Sequence, residues 1–177
     1  MPARQDASTS TPTPSLSPLI PLTPAHKVGT FTCGNADIDR FLHDRAATEQ
    51  ALRLSQVYVT VDSDDAVCGF FTLSPLTLRV DTSLLTRLGL GEVPYPSIGG
   101  FLLGRMGIAA HLQGRGIGEA LVMRAAQIAK REAAFVGGAF LAVDPKDERL
   151  VHWYARQDFV AIGGYTRRMV LPLRSVP

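Results

Sequence analysis

The chain has few cysteines and no long apolar runs, and these absences exclude several classes of protein. Its two cysteines, Cys33 and Cys68, have neither the spacing of metal ligands nor the number that a disulfide framework needs, so we expect reduced thiols. No apolar segment approaches the roughly 18 residues of a membrane-spanning helix. The amino terminus lacks the charged and then apolar pattern of a secretory signal. The sequence therefore predicts a cytoplasmic protein that contacts no membrane and holds no metal.

The charge balance is too mild to indicate a nucleic-acid-binding protein by itself. The 177 residues carry 18 basic and 16 acidic side chains, which gives a net charge of +2 and a pI of about 8.7. Fifteen of the basic residues are arginines and three are lysines. Arginine is the better bidentate phosphate ligand, although genomic codon bias explains the same excess. Nucleic-acid binding is therefore left open.

Composition divides the chain into a tail and one domain. Residues 1–18 are mostly Ser, Thr, Pro and Ala with almost nothing to bury, so they are predicted to be disordered. Residues 19–177 are predicted to form a single domain. Periodicity predicts strands over 19–22, 55–62, 67–78, 101–109, 138–144 and 166–173, and helices over 36–53, 83–89 and 145–157 together with a long one ending near 133. This order predicts an α+β fold with a mixed, mostly antiparallel sheet and helices on its faces.

Four glycines surround the start of the long helix: Gly107, Gly114, Gly116 and Gly118. A strand, a glycine loop and a helix N-terminus form a phosphate cradle, because the first-turn N–H groups have no intrahelical partners. The patterns G-x-x-x-x-G-K-[ST] and G-x-G-x-x-G are both absent, whereas Gln113, Gly116 and Gly118 fit Q-x-x-G-x-G. The loop glycines could alternatively serve turn geometry alone. Gly107, inside the strand, is predicted to mark a bulge or a close ligand approach.

The Q-x-x-G-x-G motif between an apolar strand and an amphipathic helix resembles the pyrophosphate-binding signature of the GNAT (Gcn5-related N-acetyltransferase) superfamily. The resemblance implies the GNAT fold, with acetyl-CoA as co-substrate. It also implies that the strand before the loop splays from the next strand and pairs with the pantetheine arm. The implied acetyl-CoA contacts are the backbone of Met106 and Ile108, the diphosphate-binding segment Gln113, Gly114, Arg115, Gly116, Ile117 and Gly118, and Asp144 on the pantetheine amides.

Several longer segments resemble the acetyltransferase toxins of bacterial toxin–antitoxin modules. They cover roughly residues 30–173 in the family's order and read FTCGNADIDRFLHDRA, GFFTLSPLTL, VPYPS, VDPKDERLVHWYARQDF and RRMVLPL. This resemblance implies acetylation of the α-amino group of aminoacyl-tRNA, which stops translation. It further implies a ribbon-helix-helix antitoxin encoded nearby, and it leaves a homodimer open.

Tyr154 is the candidate catalytic residue. It matches the family's tyrosine near the CoA sulfur, where its hydroxyl would act as general acid, and its alternative role is an aromatic packing anchor. Trp153 is predicted to lie in the core. Asp144 is predicted either to bind the cofactor or to cap the following helix. His111 and His152 are predicted to be surface or hydrogen-bonded histidines, because no carboxylate is paired with them in the sequence.

The candidate tRNA phosphate contacts are five arginines, namely Arg45, Arg53, Arg105, Arg167 and Arg168. Phosphate contacts release counterions, so the tRNA hypothesis predicts strongly salt-dependent binding. Two alternatives stay open: a GNAT enzyme that acetylates a small amine or a protein N-terminus, and an acetyl-CoA-binding module without turnover. A basic channel leading to Tyr154 would favour tRNA, whereas a closed acidic pocket would favour a small amine.

Overall fold

The computed structural model describes residues 17–163 and 167–177, which form one seven-stranded sheet with helices on both faces. The strands are β1 (Ile20–Pro21), β2 (Gln56–Val61), β3 (Val67–Arg79), β4 (Ser97–Ile108), β5 (Phe140–Val143), β6 (Val160–Ala161) and β7 (Met169–Pro172). The helices are α1 (Ala36–Arg40), α2 (Ala46–Ala51), α3 (Thr82–Leu88), α4 (Ile117–Val136) and α5 (Glu148–Ala155). A π-helical turn (Phe41–Arg45) joins α1 to α2, and 3₁₀ turns occupy Ala110–Leu112 and Leu173–Ser175.

The sheet has the order β1-β2-β3-β4-β5-β7-β6, and only its β4–β5 pair is parallel among the strands described. The remaining neighbours pair antiparallel. The prediction of a mixed, mostly antiparallel sheet is therefore confirmed. The parallel pair is joined through α4, as a parallel crossover requires. The short strand β6 was not predicted. The last predicted strand, 166–173, contains β7 at Met169–Pro172, and its residue 166 lies outside the described residues.

The amino-terminal edge of the sheet begins earlier than the composition indicates. Ser17, assigned to the tail by the sequence, donates its N–H to the Val61 carbonyl at 3.0 Å and accepts from the Thr60 hydroxyl at 2.8 Å. The segment therefore continues the line of β1 along β2. The prediction of disorder for residues 1–16 lies outside the described residues.

The predicted helix over 36–53 is present but interrupted. Asn35 caps it as predicted, since its side-chain oxygen accepts from the N–H groups of Asp37 and Ile38 at 3.1 and 3.2 Å. The π-helical turn then adds a residue to one turn, and its adjacent residues Phe41 and Leu42 are both buried in the core.

Alternation along the strands separates two faces of the sheet. On one face, Phe71 of β3 packs with α4 and α5. On the other face, Phe70 packs with α1, the π-helical turn and α2, while α3 covers the far half of the sheet. The core thus lies on both sides of β3 and β4.

Candidate active site

A cleft of about 700 Å³ lies between the end of β4, the start of α4 and α5. Its floor and loop side bring together most of the predicted acetyl-CoA contacts, namely Met106, Ile108, Gln113, Gly114, Gly116, Ile117, Gly118 and Asp144, together with Tyr154. Arg115 is in the same loop with an exposed side chain and is not among the lining residues. Cys33, Asn35 and Ile38 form the opposite wall, which the sequence analysis missed.

The cleft exists because β4 and β5 separate. The two strands pair only at Phe101–Leu141 and Leu102–Ala142, and β5 ends at Val143 while β4 continues to Ile108. Beyond Leu102, the β5 side of β4 has no strand partner within residues 17–163 and 167–177. The structure therefore contains the splay that the GNAT resemblance implied.

The expected bulge is in β4, but at a different glycine. The register between β3 and β4 shifts around Thr72, whose hydroxyl oxygen accepts from the backbone N–H of Arg105 at 2.9 Å. A Cβ on Gly104 would lie only 2.9 Å from that oxygen. Gly107 keeps regular pairing with Phe70, and a Cβ there would lie 2.9 Å from Ile38 Cγ2. Gly107 therefore allows α1 to pack closely against β4. Of its two predicted roles, the bulge is not observed, and the close ligand approach stays a prediction for a residue that lines the cleft.

The glycine loop has both the turn geometry and the open approach that a phosphate cradle needs. Gly114 and Gly116 have φ values of 75° and 77°, which favour glycine, and a Cβ on either would meet nothing within 4 Å. The loop thus opens toward the cleft at the N-terminus of α4, where unpaired N–H groups favour an anion. Gly118 has a packing role as well, because its Cβ would lie 3.3 Å from atoms of Ile108 and Trp153. The residues present fit a bound diphosphate.

Gln113 braces this loop with its side chain. Its amide nitrogen donates to the backbone carbonyls of Cys33 at 2.8 Å and Ile108 at 3.0 Å. The Cys33 N–H in turn donates to the Asp39 carboxylate at 2.8 Å. The amide of Gln113 therefore ties the end of β4 to the opposite wall, which leaves its backbone as the group that can meet a ligand.

Tyr154 is the most buried ionisable side chain lining the cleft, at 8% exposure. Its ring makes edge-to-face contacts with Trp153 and Phe159, at centroid distances of 4.8 and 5.4 Å. Burial raises the pKa of the Tyr154 hydroxyl to about 12. The hydroxyl makes no hydrogen bond to any residue that the structure describes. It is therefore protonated at neutral pH, with its proton available to a molecule in the cleft.

The acetyltransferase (GNAT) family model matches residues 31–159. The chain belongs to the GNAT family. Solved structures that share its fold include the following three. AtaT complexed with acetyl-methionyl-tRNAfMet has a TM-score of 0.80 at 22% identity, covering 92% of this chain and 97% of that chain. AtaTR bound with AcCoA has a TM-score of 0.79 at 23% identity, covering 91% and 95%. An AtaT mutant toxin bound to the C-terminus of the antitoxin AtaR has a TM-score of 0.77 at 22% identity, covering 91% and 95%.

Membership of the GNAT family makes this protein an N-acetyltransferase. On the α5 side of the site, two residues differ from the sequence prediction. Asp147, not Asp144, caps α5, since its carboxylate accepts from Leu150 N–H at 2.9 Å. Asp144 instead accepts two hydrogen bonds of 2.7 Å from Arg168. Trp153 is half-buried and lines the cleft, with its indole N–H donating to Glu119 at 3.2 Å. The prediction that Trp153 belongs to the core was therefore only partly right.

The five candidate arginines do not form one basic channel in this GNAT protein. Arg45 and Arg167 pair with Glu49 and Glu148 on the surface, each within 3 Å. Arg53 lines a separate cavity of about 470 Å³. Arg105 and Arg168 remain close to the cleft: Arg105 lies over the Phe41 ring at 4.3 Å, and Arg168 is bound to Asp144.

Other candidate nucleophiles and bases are unsuited to the chemistry. Burial and a hydrogen bond with Asp39 raise the pKa of the Cys33 thiol to about 11, so Cys33 is not a thiolate nucleophile. His152 is exposed and bonded to the Glu148 carbonyl at 2.7 Å, and neither it nor the exposed His111 lines the cleft.

Among the described residues, no group of three or more His, Cys, Asp or Glu could hold a metal ion, and no helix has the length and apolarity to cross a bilayer.

One lysine and one arginine that line the cleft were not predicted from the sequence. Lys146 and Arg149 line it from the start of α5. An exposed charge on a short helix resembles any solvated surface residue, so no local signal distinguished them. Only the packing of α5 beside the glycine loop reveals their position.

Proposed function

We propose that this enzyme transfers the acetyl group of acetyl-CoA to the α-amino group of aminoacyl-tRNA in the cytoplasm. The observation that carries the proposal is the position of Tyr154 in a cleft that also contains the glycine loop and the unpaired edge of β4. A phosphate cradle, a free strand edge and a buried acid in one cleft match the diphosphate, the amide-containing arm and the thioester of acetyl-CoA.

The chain's own groups can hold the co-substrate along its length. Backbone N–H groups from Gly114 to Gly118 bind the diphosphate, and the backbone of Met106 and Ile108 pairs with the pantetheine arm. Asp144 accepts from a pantetheine amide, because each of its oxygens accepts only one hydrogen bond from Arg168 and keeps a lone pair. Acetyl-CoA supplies the activated thioester, and these contacts orient its carbonyl toward the incoming amine.

Tyr154 serves the proton transfers. The neutral amine attacks the thioester carbonyl, the new C–N bond forms, and the C–S bond breaks. The Tyr154 hydroxyl donates to the departing sulfur, which takes the proton, and the proton released by the amine returns to the tyrosine oxygen. An ordinary thiol has a pKa of about 8.5, well below the pKa of about 12 for Tyr154. The tyrosine therefore donates to the negative charge that develops on sulfur as the C–S bond breaks, and it does not ionise first.

Support for tRNA as the acceptor comes from the shared fold with AtaT complexed with acetyl-methionyl-tRNAfMet and from Arg105, which lies between the cleft-lining residues Gly104 and Met106. The AtaT mutant toxin bound to the C-terminus of the antitoxin AtaR likewise supports an antitoxin as the partner, and the ribbon-helix-helix type is what the sequence resemblance implies. A second candidate, a small amine or a protein N-terminus as acceptor, is favoured by the ion pairs that already occupy Arg45, Arg167 and Arg168.

Expression of the wild type without its partner, followed by mass spectrometry of aminoacyl-tRNA, tests the proposal. We expect growth arrest and acetylated aminoacyl-tRNA. Tyr154→Phe should abolish both, with turnover reduced about 10²–10⁴-fold and acetyl-CoA affinity little changed. Tyr95→Phe, in an exposed loop, is the matched control and should behave as the wild type. Harmless expression with an unmodified tRNA pool would favour the small-amine enzyme, and cofactor binding without turnover of any amine would favour a binding module.

A further inference from the structure

Lys146 and Arg149 form a cationic pair of side chains at the edge of the cleft, and nothing in the proposed chemistry uses them. Both are exposed, and neither makes an ion pair or a side-chain hydrogen bond within residues 17–163 and 167–177. Arg167 and Arg168, on the neighbouring segment, are both neutralised by carboxylates. The cleft therefore has a local excess of positive charge on its α5 side.

Trp153 fixes the distance between this charge and the glycine loop. Its ring lies 3.3 Å from the position of a Cβ on Gly118, and its indole N–H donates to Glu119 in the first turn of α4. Arg149 precedes Trp153 by four residues, so it lies on the same face of α5, about 6 Å toward the helix N-terminus. Side chains on a helix lean toward its N-terminus, so the Arg149 side chain lies over the turn that precedes it, on the side of Lys146.

The charges facing this position determine where an anion can sit. Glu119 lies beside Trp153 and disfavours a phosphate at that contact. Three more carboxylates are nearby: Glu148 and Asp144 are each paired with an arginine, and Asp147 accepts from the Leu150 N–H as the cap of α5. A phosphate is therefore best accommodated beyond Glu119, between Lys146 and Arg149.

Acetyl-CoA carries a third phosphate that the glycine loop does not need to bind. It is a monoester on the ribose, next to the diphosphate, and a phosphomonoester has a charge of about −1.5 to −2 at neutral pH. We propose that Lys146 and Arg149 bind this 3′-phosphate and thereby make the enzyme select acetyl-CoA over its 3′-dephospho form. The inference rests on the proposed function, in which the loop holds the diphosphate.

Calorimetric titration of the full chain at low ionic strength, with acetyl-CoA and with 3′-dephospho-acetyl-CoA, tests the assignment. The wild type should bind acetyl-CoA at least about tenfold more tightly, since two partly exposed charge pairs contribute on that order. Lys146→Ala combined with Arg149→Ala should lower the affinity for acetyl-CoA to that for the dephospho form and leave the latter unchanged. Arg156→Ala, an exposed cation just after α5 and outside the cleft, is the control and should keep the preference.

Two results would overturn the assignment while leaving the proposed function intact. One is equal affinity of the wild type for the two ligands. The other is an equal loss of affinity for both ligands in the double variant, which would place the diphosphate on these cations. Absence of binding by either ligand to the wild type would instead overturn the proposed function and this inference together.

Discussion

The guanidinium of Arg168 donates hydrogen bonds of 2.7 Å to both carboxylate oxygens of Asp144. Asp144 follows the last residue of β5 and Arg168 precedes the first residue of β7, so the pair extends the β5–β7 ladder by one step. The contact lies where β4 has already separated from β5. It therefore keeps the end of β5 attached to β7 and holds one side of the cleft in place.

Removal of either partner should break the same Asp144–Arg168 ion pair, so the two single variants should lose similar amounts of unfolding free energy. We expect Asp144→Asn and Arg168→Gln each to lower the free energy of unfolding by about 0.5–1 kcal/mol, because the side chains are 49% and 26% exposed and solvent screens them. The double variant should cost no more than the larger single change. Arg167→Gln, which loses a more exposed contact to Glu148, should cost less. Additive losses in urea denaturation would show that the two residues act independently.

Substitution by alanine should be destabilising at one glycine of β4 and nearly neutral at another. Gly107→Ala places a methyl group 2.9 Å from Ile38 and 3.0 Å from Phe70, so it should destabilise the fold by about 1–3 kcal/mol. Gly99→Ala meets nothing within 4 Å and should be close to neutral. Thermal unfolding of both variants measures the difference. Equal stabilities would contradict the packing role assigned to Gly107.

Gln113→Met removes two hydrogen bonds but keeps the length of the side chain. We expect faster amide hydrogen exchange at residues 33–35 and acetyl-CoA affinity reduced about fivefold, because the loss of about 1 kcal/mol loosens the loop. Gln127→Met, which loses one surface contact with Arg124 on α4, is the control and should change neither measurement. Unchanged exchange in the Gln113 variant would mean that the brace does not order this wall.

Charge at the loop can be tested separately from backbone strain at Gly116. Asp and Asn have nearly the same shape and tolerate a positive φ better than other side chains, so Gly116→Asp and Gly116→Asn should be strained to a similar degree. Only the aspartate repels a diphosphate. The Gly116→Asp variant should therefore bind acetyl-CoA at least about tenfold more weakly than the Gly116→Asn variant. Equal affinities in calorimetry would exclude this loop as the diphosphate site.

The pKa of Tyr154 predicts a dependence of stability on alkaline pH. Burial raises this pKa to about 12, so above the ordinary tyrosine value the unfolded chain loses the proton while the folded chain keeps it. This contribution to stability is fully present below the unfolded pKa and is lost as pH rises toward the folded one. Between about pH 9 and about pH 11, the wild type should lose more unfolding free energy than Tyr154→Phe. Parallel curves for the two proteins would place the hydroxyl in a solvated environment.

Local patterns were sufficient to predict the order of the longer elements, though not β6, and to predict the Asn35 cap and the glycine loop. The π-helical turn was not predictable, because Phe41 and Leu42 both also fit the apolar positions of an ordinary helix. The bulge at Gly104 depends on the Thr72 hydroxyl in another strand. The Asp144–Arg168 pair likewise joins residues 24 positions apart, a separation at which spacing in the sequence carries no information.

The splay between β4 and β5 has a mechanical consequence for the whole domain. Two residue pairs connect the β1–β4 half of the sheet to the β5–β7 half, whereas the flanking ladders β3–β4 and β5–β7 have ten and four in the part of the chain described. Local opening of a protein is easiest where few backbone hydrogen bonds and buried contacts join its parts, and the core under α4 is the other link between these halves. A ligand that spans this seam touches both halves, so its binding free energy also opposes their separation. A ligand bound in the cleft should therefore make separation of β4 from β5 less favourable.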